Sequence, residues 1–299
     1  MGFALLVQRV LITEMMIVWV TSLVAGGCPV GRRRARCAYP IAKHLLPPSA
    51  MSSTPILTGL LLAGGLSSRM GRDKALLSYA THGIHGAGLG QNSVVLARTQ
   101  LERGLELLTP LCAGGVLISV RDAAQQTRIR ALVPDTKLPA GTEYVLDVGG
   151  KDIGPAAGLL AAHAARPDAW FLVLAIDFPL ATPAALLDLV QAHFATPGGA
   201  PVTCYMHTDD GNPEPFMSVW MPKAFERLRI SVEDGGKTGP CSAARQVWKE
   251  VSVEGMREGY GLVRPRDDRW LVNTNTPAQW EEAVKMAALD DVVRGEPVA

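Results

Sequence analysis

A chain of 299 residues that is 48% apolar and 19% charged has the composition of a globular protein, not of a disordered one. Its net charge of +1 lacks the basic excess that is typical of nucleic-acid-binding surfaces, so we expect no nucleic-acid partner. The five cysteines are scattered, odd in number and without C-x-x-C spacing, which predicts free thiols instead of a disulfide framework or a zinc site.

The first fifty residues differ in composition from the rest of the chain. Residues 10–25 are almost wholly apolar, arginines crowd residues 32–36, and a proline-rich stretch runs through Pro48. The run is shorter than the stretch of about 20 apolar residues that a membrane anchor needs. A secretory signal carries its positive charge before the apolar run, whereas here most of that charge follows it. We therefore expect residues 1–54 to be an extension outside the fold, with a membrane anchor as the alternative. If the segment is an anchor, the positive-inside rule keeps its arginines on the cytoplasmic side, so we expect the domain in the cytoplasm with either interpretation.

From Ile56 onward, short apolar runs alternate with segments of helical spacing. Because strands alternate with helices, we expect an α/β fold with a mostly parallel, doubly wound sheet covered by helices on both faces. Ligands of such sheets bind beyond the carboxyl ends of the strands, where Gly64 and Asp177 fall. The predicted domain covers residues 55–290 and is followed by a tail, 291–299. In chain order we predict strand 56–62, helix 94–108, strands 116–119 and 144–146, helix 155–165, strand 170–176, helix 183–194, strands 202–206 and 216–221, helices 223–231 and 243–248, strand 249–253 and helix 277–289.

The most informative segment follows the first predicted strand and reads L-A-G-G-L-S-S-R-M-G-R-D-K over residues 62–74. Glycines after a strand let the backbone approach an anion and direct N–H groups at phosphate oxygens. Two cations, Arg69 and Lys74, lie in the same loop. The spacing differs from that of a Walker P-loop and from G-x-G-x-x-G. We predict that the loop binds the phosphates of a nucleoside triphosphate, with nucleotide contacts from Leu62, Ala63, Gly64, Gly65 and Lys74.

The pattern L-A-G-G-x-S-x-R-M-G-x-D-K closely resembles the signature of the MobA-like NTP transferases, nucleotidyltransferases similar to molybdenum cofactor guanylyltransferase. Three later segments resemble further motifs of that family in the same order: G-P-x-x-G at 154–158, the D-F-P that starts at Asp177, and V-N-x-N-T-P at 272–277. The resemblance covers roughly residues 56–289. It implies a three-layer α/β/α domain of the nucleotide-diphospho-sugar-transferase type, which is Rossmann-like.

The resemblance also implies a reaction in which an NTP and a phosphorylated acceptor form a pyrophosphate linkage and release pyrophosphate. Several negative charges meet in that reaction, so catalysis depends on positioning and charge neutralisation. Asp177 is a hard oxygen ligand at a strand end and suits Mg²⁺, although a plain loop carboxylate is the alternative. Arg69 and Lys74 would balance charge on the triphosphate and on the leaving pyrophosphate.

GTP and molybdopterin are the substrates that the resemblance favours. The alternatives are a cytidylyltransferase that acts on molybdopterin or on a sugar or polyol phosphate, and a non-catalytic nucleotide-binding regulator. Loss of the metal-binding aspartate or of the loop lysine would favour the regulator, yet Asp177 and Lys74 are both present.

Several positions keep more than one role open. Asp147 falls where such proteins carry a nucleotide-contacting aspartate, and it could read guanine or touch the ribose or the metal. Asn273 and Asn275 could support the metal or the acceptor phosphate, or could cap the last helix. Ser119 stands where we expect an asparagine of the family, and Glu214 stands where His-Pro or Gln-Pro is common. These two departures concern the base and the acceptor and leave the triphosphate motif intact.

Overall fold

The structure is a computed structural model of the chain. It describes residues 55–65, 67–80, 97–147, 153–195, 200–233 and 261–293. The extension predicted at 1–54 and the elements predicted at 243–248 and 249–253 lie outside these residues. Across the described ranges, no helix is both long enough and apolar enough to cross a membrane.

Strands of the described residues form one large sheet and one small ribbon. The large sheet has the spatial order β5-β4-β1-β6-β8-β7-β9, and the ribbon pairs β2 with β3 in antiparallel fashion. Among these described strands of the large sheet, neighbours run parallel except where β8 pairs with β6 and β7. The strands are β1 (Leu57–Leu62), β2 (Ser78–Ala80), β3 (Ala97–Thr99), β4 (Val116–Val120), β5 (Thr142–Leu146), β6 (Trp170–Ala175), β7 (Val202–Met206), β8 (Pro213–Trp220) and β9 (Gly261–Val263).

The helices connect these strands and flank the sheet, which gives the three-layer α/β/α arrangement that the sequence predicts. Helix α3 begins with Pro155 at its first turn, and the Thr182 hydroxyl caps α4 by accepting from the Ala185 N–H at 3.2 Å. The helices are α1 (Gln100–Leu108), α2 (Ala123–Leu132), α3 (Pro155–Ala165), α4 (Pro183–Ala195), α5 (Pro222–Glu233) and α6 (Pro277–Val293).

The helix predicted over 94–108 is wrong in its first part, because residues 97–99 form β3 and the helix begins at Gln100. A capping box marks the change: the Thr99 hydroxyl accepts from the Glu102 N–H at 3.2 Å, and the Glu102 carboxylate accepts from the Thr99 N–H at 2.9 Å. Helix α2 was not predicted, although Asp122 followed three residues later by Gln125 is a helix-start signal.

The core lies on both faces of β1 and its neighbours, and β1 is buried along its whole length, as a parallel central strand should be. Gly104 lets α1 approach this strand, since a Cβ there would lie 2.6 Å from the Leu61 side chain. Of the cysteines, Cys112 and Cys204 are buried and lie outside any disulfide, which agrees with the prediction for these two. Burial raises the pKa of the Cys112 thiol and keeps it protonated.

Candidate functional site

The predicted site residues come together at the carboxyl edge of the sheet. The Ala63 N–H, just past β1, donates to the Ser119 carbonyl of β4 at 2.9 Å. On the other side of β1, the Ile176 N–H donates to the Leu62 carbonyl at 3.0 Å. These hydrogen bonds extend the sheet beyond its strand ends and place the loop after β1 beside Asp177.

One serine shapes the loop of residues 63–74. The Ser67 carbonyl accepts from the N–H groups of Met70 and Gly71, each at 3.0 Å, and its hydroxyl accepts from the Lys74 N–H at 3.3 Å. Ser67 has φ of 50°, a left-handed conformation that is uncommon outside glycine. The loop therefore folds on Ser67, while Gly65 has open space around it, with no atom of the described residues within 4 Å of a Cβ placed there.

Lys74, Asp177 and Asn275 meet although the first and last are 201 residues apart. The Lys74 Nζ donates to the Asn275 Oδ1 at 2.9 Å and lies 3.6 Å from the Asp177 Oδ2. The Asn275 Nδ2 in turn donates to the Asn273 Oδ1 at 2.5 Å. Two predicted charges and two predicted amides thus form one connected group.

Burial makes charge costly within this group. It is the main cause that raises the pKa of Asp177, and the nearby positive charge of Lys74 offsets only part of the effect. Burial likewise lowers the pKa of Lys74, against the attraction of Asp177, and the charge of Arg69 lowers it further. Only 13% of the Lys74 side chain and 21% of the Asp177 side chain are exposed. Such a partly desolvated pair is a typical functional-site signature.

The segment of residues 272–277 is anchored on the Asp177 backbone, whose carbonyl accepts from the Thr274 N–H at 3.0 Å. Helix α6 is capped by the Thr276 hydroxyl, which accepts from the Gln279 N–H at 3.3 Å. The capping alternative for the Asn273 and Asn275 side chains is therefore wrong. Both amides belong to the Lys74 group instead.

Asp147 lies directly against the glycine loop. Its Oδ1 accepts from the Ser119 hydroxyl at 2.5 Å, and its Oδ2 would be 2.2 Å from a Cβ placed on Gly64. Gly158 of α3 makes room for the same serine, since a Cβ there would lie 2.2 Å from the Ser119 Oγ. Burial raises the pKa of Asp147, and the Ser119 hydrogen bond opposes that shift. Ser119 therefore acts by holding Asp147, a role that the sequence did not reveal.

Arg69 and Glu214 flank the group more loosely. Arg69 is exposed on the loop, and its positive charge lowers the pKa of Lys74. Glu214 of β8 accepts from the Phe216 N–H at 3.0 Å and pairs with the His207 Nε2 at 3.2 Å. This pairing raises the pKa of His207, and the Glu214 charge adds to the raised pKa of Asp177.

A divalent cation fits Asp177. Its Oδ1 is a buried acceptor that lacks a hydrogen-bond partner within the described part of the chain. The described residues contain no group of three or more Asp, Glu, His or Cys that could enclose a metal. Mg²⁺ commonly takes only one or two carboxylates and completes its shell with water and substrate phosphates. The donor set therefore suits a cation shared with a triphosphate and not a protein cage.

Comparison with known proteins gives the chain several relatives. Residues 59–250 match a family model described as the MobA-like NTP transferase domain. A protein of Opitutus terrae named "Probable molybdenum cofactor guanylyltransferase" is 32% identical over 227 residues, which are 74% of this chain and 91% of that protein. A protein of the same name from Rhodopirellula baltica is 26% identical over 230 residues, 76% of this chain and 91% of the relative. The "Molybdenum cofactor biosynthesis bifunctional protein" of Synechocystis sp. is 30% identical over 177 residues, 59% of this chain, and the chain spans 42% of its length.

Solved structures share the fold. The "Molybdopterin-guanine dinucleotide biosynthesis protein A" of Archaeoglobus fulgidus matches with a TM-score of 0.53 at 18% identity, over 78% of this chain and 100% of the other. The 4-diphosphocytidyl-2C-methyl-D-erythritol synthase of Anaerococcus prevotii matches with a TM-score of 0.51 at 12% identity, over 78% and 98%. At these identities the likeness concerns the fold alone, and it confirms the predicted three-layer α/β/α class.

Proposed function

Because the chain belongs to the MobA-like NTP transferase family, and is therefore a nucleotidyltransferase, we propose that it transfers GMP from GTP to the phosphate of molybdopterin and releases pyrophosphate. The observation that carries this proposal is the contact of Lys74, the last residue of the glycine loop, with Asp177 and Asn275. The names of the Opitutus and Rhodopirellula relatives support guanylyl transfer to the molybdenum cofactor.

In the proposed reaction, an acceptor phosphate oxygen attacks the α-phosphorus of GTP, and the bond from that phosphorus to the α–β bridging oxygen breaks. The N–H groups of the glycine loop would bind the triphosphate, since Gly64 and Gly65 carry no side chain that would block its approach. Lys74 is held by Asn275 at 2.9 Å, which orients its ammonium for charge neutralisation. Arg69, exposed on the same loop, would balance charge on the departing pyrophosphate.

Asp177 would hold Mg²⁺ through Oδ1, which has no hydrogen-bond partner among the described residues, while Oδ2 lies 3.6 Å from the Lys74 Nζ. When bound, Mg²⁺ supplies charge neutralisation for the phosphates and helps to orient them. Asn273 supports the arrangement by accepting from the Asn275 amide, so that the Asn275 carbonyl faces Lys74. Within this group the chain thus orients one cationic side chain, Lys74, and one anionic side chain, Asp177.

The proposal is tested by measuring pyrophosphate release from GTP, ATP and CTP, each with molybdopterin, a sugar phosphate and a polyol phosphate, at several Mg²⁺ concentrations. We expect release to be fastest with GTP and molybdopterin and to require the divalent cation. Faster release from CTP would replace the guanylyl assignment by the cytidylyl one, and faster release with a sugar or polyol phosphate would replace molybdopterin as the acceptor. Absence of release from every pair would refute transfer.

We propose that Asp147 recognises the base of the nucleotide. Guanine presents two adjacent donors that one carboxylate can accept together, whereas adenine presents only its amine. Loss of a buried hydrogen-bond partner costs about 1–3 kcal/mol. Asp147→Ala should therefore weaken the binding of GTP by about tenfold or more and reduce the difference in affinity between GTP and ATP. Titration of GTP, ATP and CTP against both proteins measures this. Equal weakening of all three would assign Asp147 to the ribose or the metal.

A further inference from the structure

We propose that Gln125 is a positioning residue that holds both ends of the glycine loop, residues 63–74, in the conformation that accepts a triphosphate. The inference rests on the proposed function, because it concerns the same phosphate-binding loop. Gln125 lies on α2, outside the four segments that resemble motifs of the family, and its side chain is fully buried. Of the residues of α2, only Gln125 and Ile129 are buried. One of the two buried side chains of this helix is therefore an amide.

The Gln125 amide makes three hydrogen bonds to three separate segments. Its Nε2 donates to the Ala63 carbonyl at 2.8 Å, at the start of the loop, and to the Asp73 Oδ2 at 3.0 Å, at the end of the loop. Its Oε1 accepts from the Arg121 N–H at 2.8 Å, in the turn after β4. One side chain therefore connects the two ends of the loop to each other and to the neighbouring strand.

The chemistry of the partners determines which way this amide points. A carbonyl and a carboxylate only accept hydrogen bonds, and a backbone N–H only donates, so rotating the amide by 180° would oppose like groups at Ala63, Asp73 and Arg121. Glutamine is one of few side chains that offer two donors and an acceptor on a neutral group. The buried position demands that all of them be satisfied.

The contact with Asp73 extends to Lys74. The Asp73 Oδ1 accepts from the Ala75 N–H at 3.1 Å, and this cap begins the short 3₁₀ turn Lys74–Leu76. Gln125 therefore fixes the carboxylate that fixes the turn from which the Lys74 side chain projects. At the other end of the loop, a Cβ on Gly64 would lie 3.2 Å from the Arg121 nitrogen, the same atom that Gln125 binds. Both the glycine end and the lysine end of the loop depend on this amide.

The decisive experiment compares Gln125→Leu, Gln125→Glu and the double variant Gln125→Glu with Asp73→Asn. Leucine removes all three hydrogen bonds, whereas glutamate keeps the acceptor for Arg121 but places a second carboxylate against Asp73. The asparagine then returns one donor to that contact. Thr203→Val is the matched control, because it removes a buried hydrogen bond to His193 in the first half of β7, at the opposite end of the sheet.

Two measurements separate positioning from general destabilisation. Calorimetric titration gives the Kd for GTP and for inorganic pyrophosphate, and hydrogen exchange followed by mass spectrometry reports on peptides from residues 63–74. We expect Gln125→Leu and Gln125→Glu to raise both Kd values by about tenfold and to speed exchange in the loop. The double variant should recover part of the affinity. Thr203→Val should lower thermal stability but leave Kd and loop exchange unchanged.

The inference is overturned if the folded Gln125 variants keep Kd values within about twofold of the wild type, or if the double variant recovers nothing. Should Gln125→Leu fail to fold, the glutamate variant and its rescue still decide the matter. A wild-type protein that binds neither GTP nor pyrophosphate would instead overturn the proposed function. Loop exchange would then decide separately whether Gln125 holds the loop.

Discussion

In the half of the sheet formed by β5, β4, β1 and β6, the polar side chains beyond the strands contact one another around a single loop. Lys74 reaches Asn275, and Asp147 is held by Ser119 against Gly64. In the half formed by β8, β7 and β9, the buried polar groups mostly serve packing instead. The Tyr205 hydroxyl, for example, donates to the Ala185 carbonyl at 2.8 Å. We call these the parallel half and the mixed half.

The difference indicates where geometry is constrained by chemistry. The proposed triphosphate needs several groups at fixed mutual positions, and the parallel half concentrates its polar contacts at one edge. At the corresponding edge of the mixed half, the described polar contact near Asp177 is the pair of His207 and Glu214, beside an exposed turn. The departure at Glu214 falls at this looser edge. Substitutions in the two halves should therefore differ in their effects.

The largest effect should come from Asp177→Asn, which removes the charge of the proposed cation ligand in the parallel half at little steric cost. Turnover should fall by about a hundredfold or more, since several kcal/mol of charge stabilisation depend on the metal. Steady-state pyrophosphate release measures the loss, and circular dichroism checks the fold. Asp168→Asn, which changes an exposed carboxylate, is the control and should leave turnover unchanged. Near-normal turnover with unchanged Mg²⁺ dependence would exclude Asp177 as the ligand.

Gly64→Ala should have the next largest effect, because its Cβ would be 2.2 Å from the Asp147 Oδ2 and 3.2 Å from the Arg121 nitrogen. Asp147 would have to leave its place, so affinity for GTP should fall by about tenfold. Gly65→Ala is a matched variant whose Cβ meets no described atom within 4 Å, and its melting temperature should stay at the wild-type value. Equal melting temperatures for the two variants would show that Asp147 is not held against the loop.

Changes in the mixed half should alter the free energy of unfolding and not the turnover. His193 is 1% exposed, its Nδ1 lies 2.8 Å from the Thr203 Oγ1, and burial lowers its pKa from 6.5 to about 4. Below pH 6.5 the unfolded chain binds a proton there that the folded chain does not, so stability falls as the pH drops toward 4. The free energy of unfolding should decrease by about 1 kcal/mol between pH 7 and pH 5.5.

Urea unfolding at these two pH values measures this decrease. His193→Gln cannot titrate, so its unfolding free energy should change less over the same interval than that of the wild type. If the two proteins lose stability equally, another group carries the pH dependence and His193 is not buried in its neutral form.

The smallest effect is expected from removal of the extension. A chain that starts at Met51 should bind GTP with the same Kd as the full chain, because residues 1–50 contain none of the motifs that build the loop or the Lys74 group. Calorimetric titration of both chains compares them. Aggregation of the shorter chain or weaker GTP binding would place the domain boundary before Met51.

The sequence by itself predicted the α/β class, which the structure confirms, and it singled out the glycine loop and Asp177, which the structure brings together, because apolar periodicity and loop motifs are local properties. It misplaced the start of α1 and missed α2, where a three-residue strand and a polar helix carry little apolar signal. Only the tertiary structure decided that Asn275 contacts Lys74 across 201 residues and that Gln125 binds both ends of the loop. Such contacts depend on the order in which strands lie beside one another, and no short stretch of sequence encodes that order.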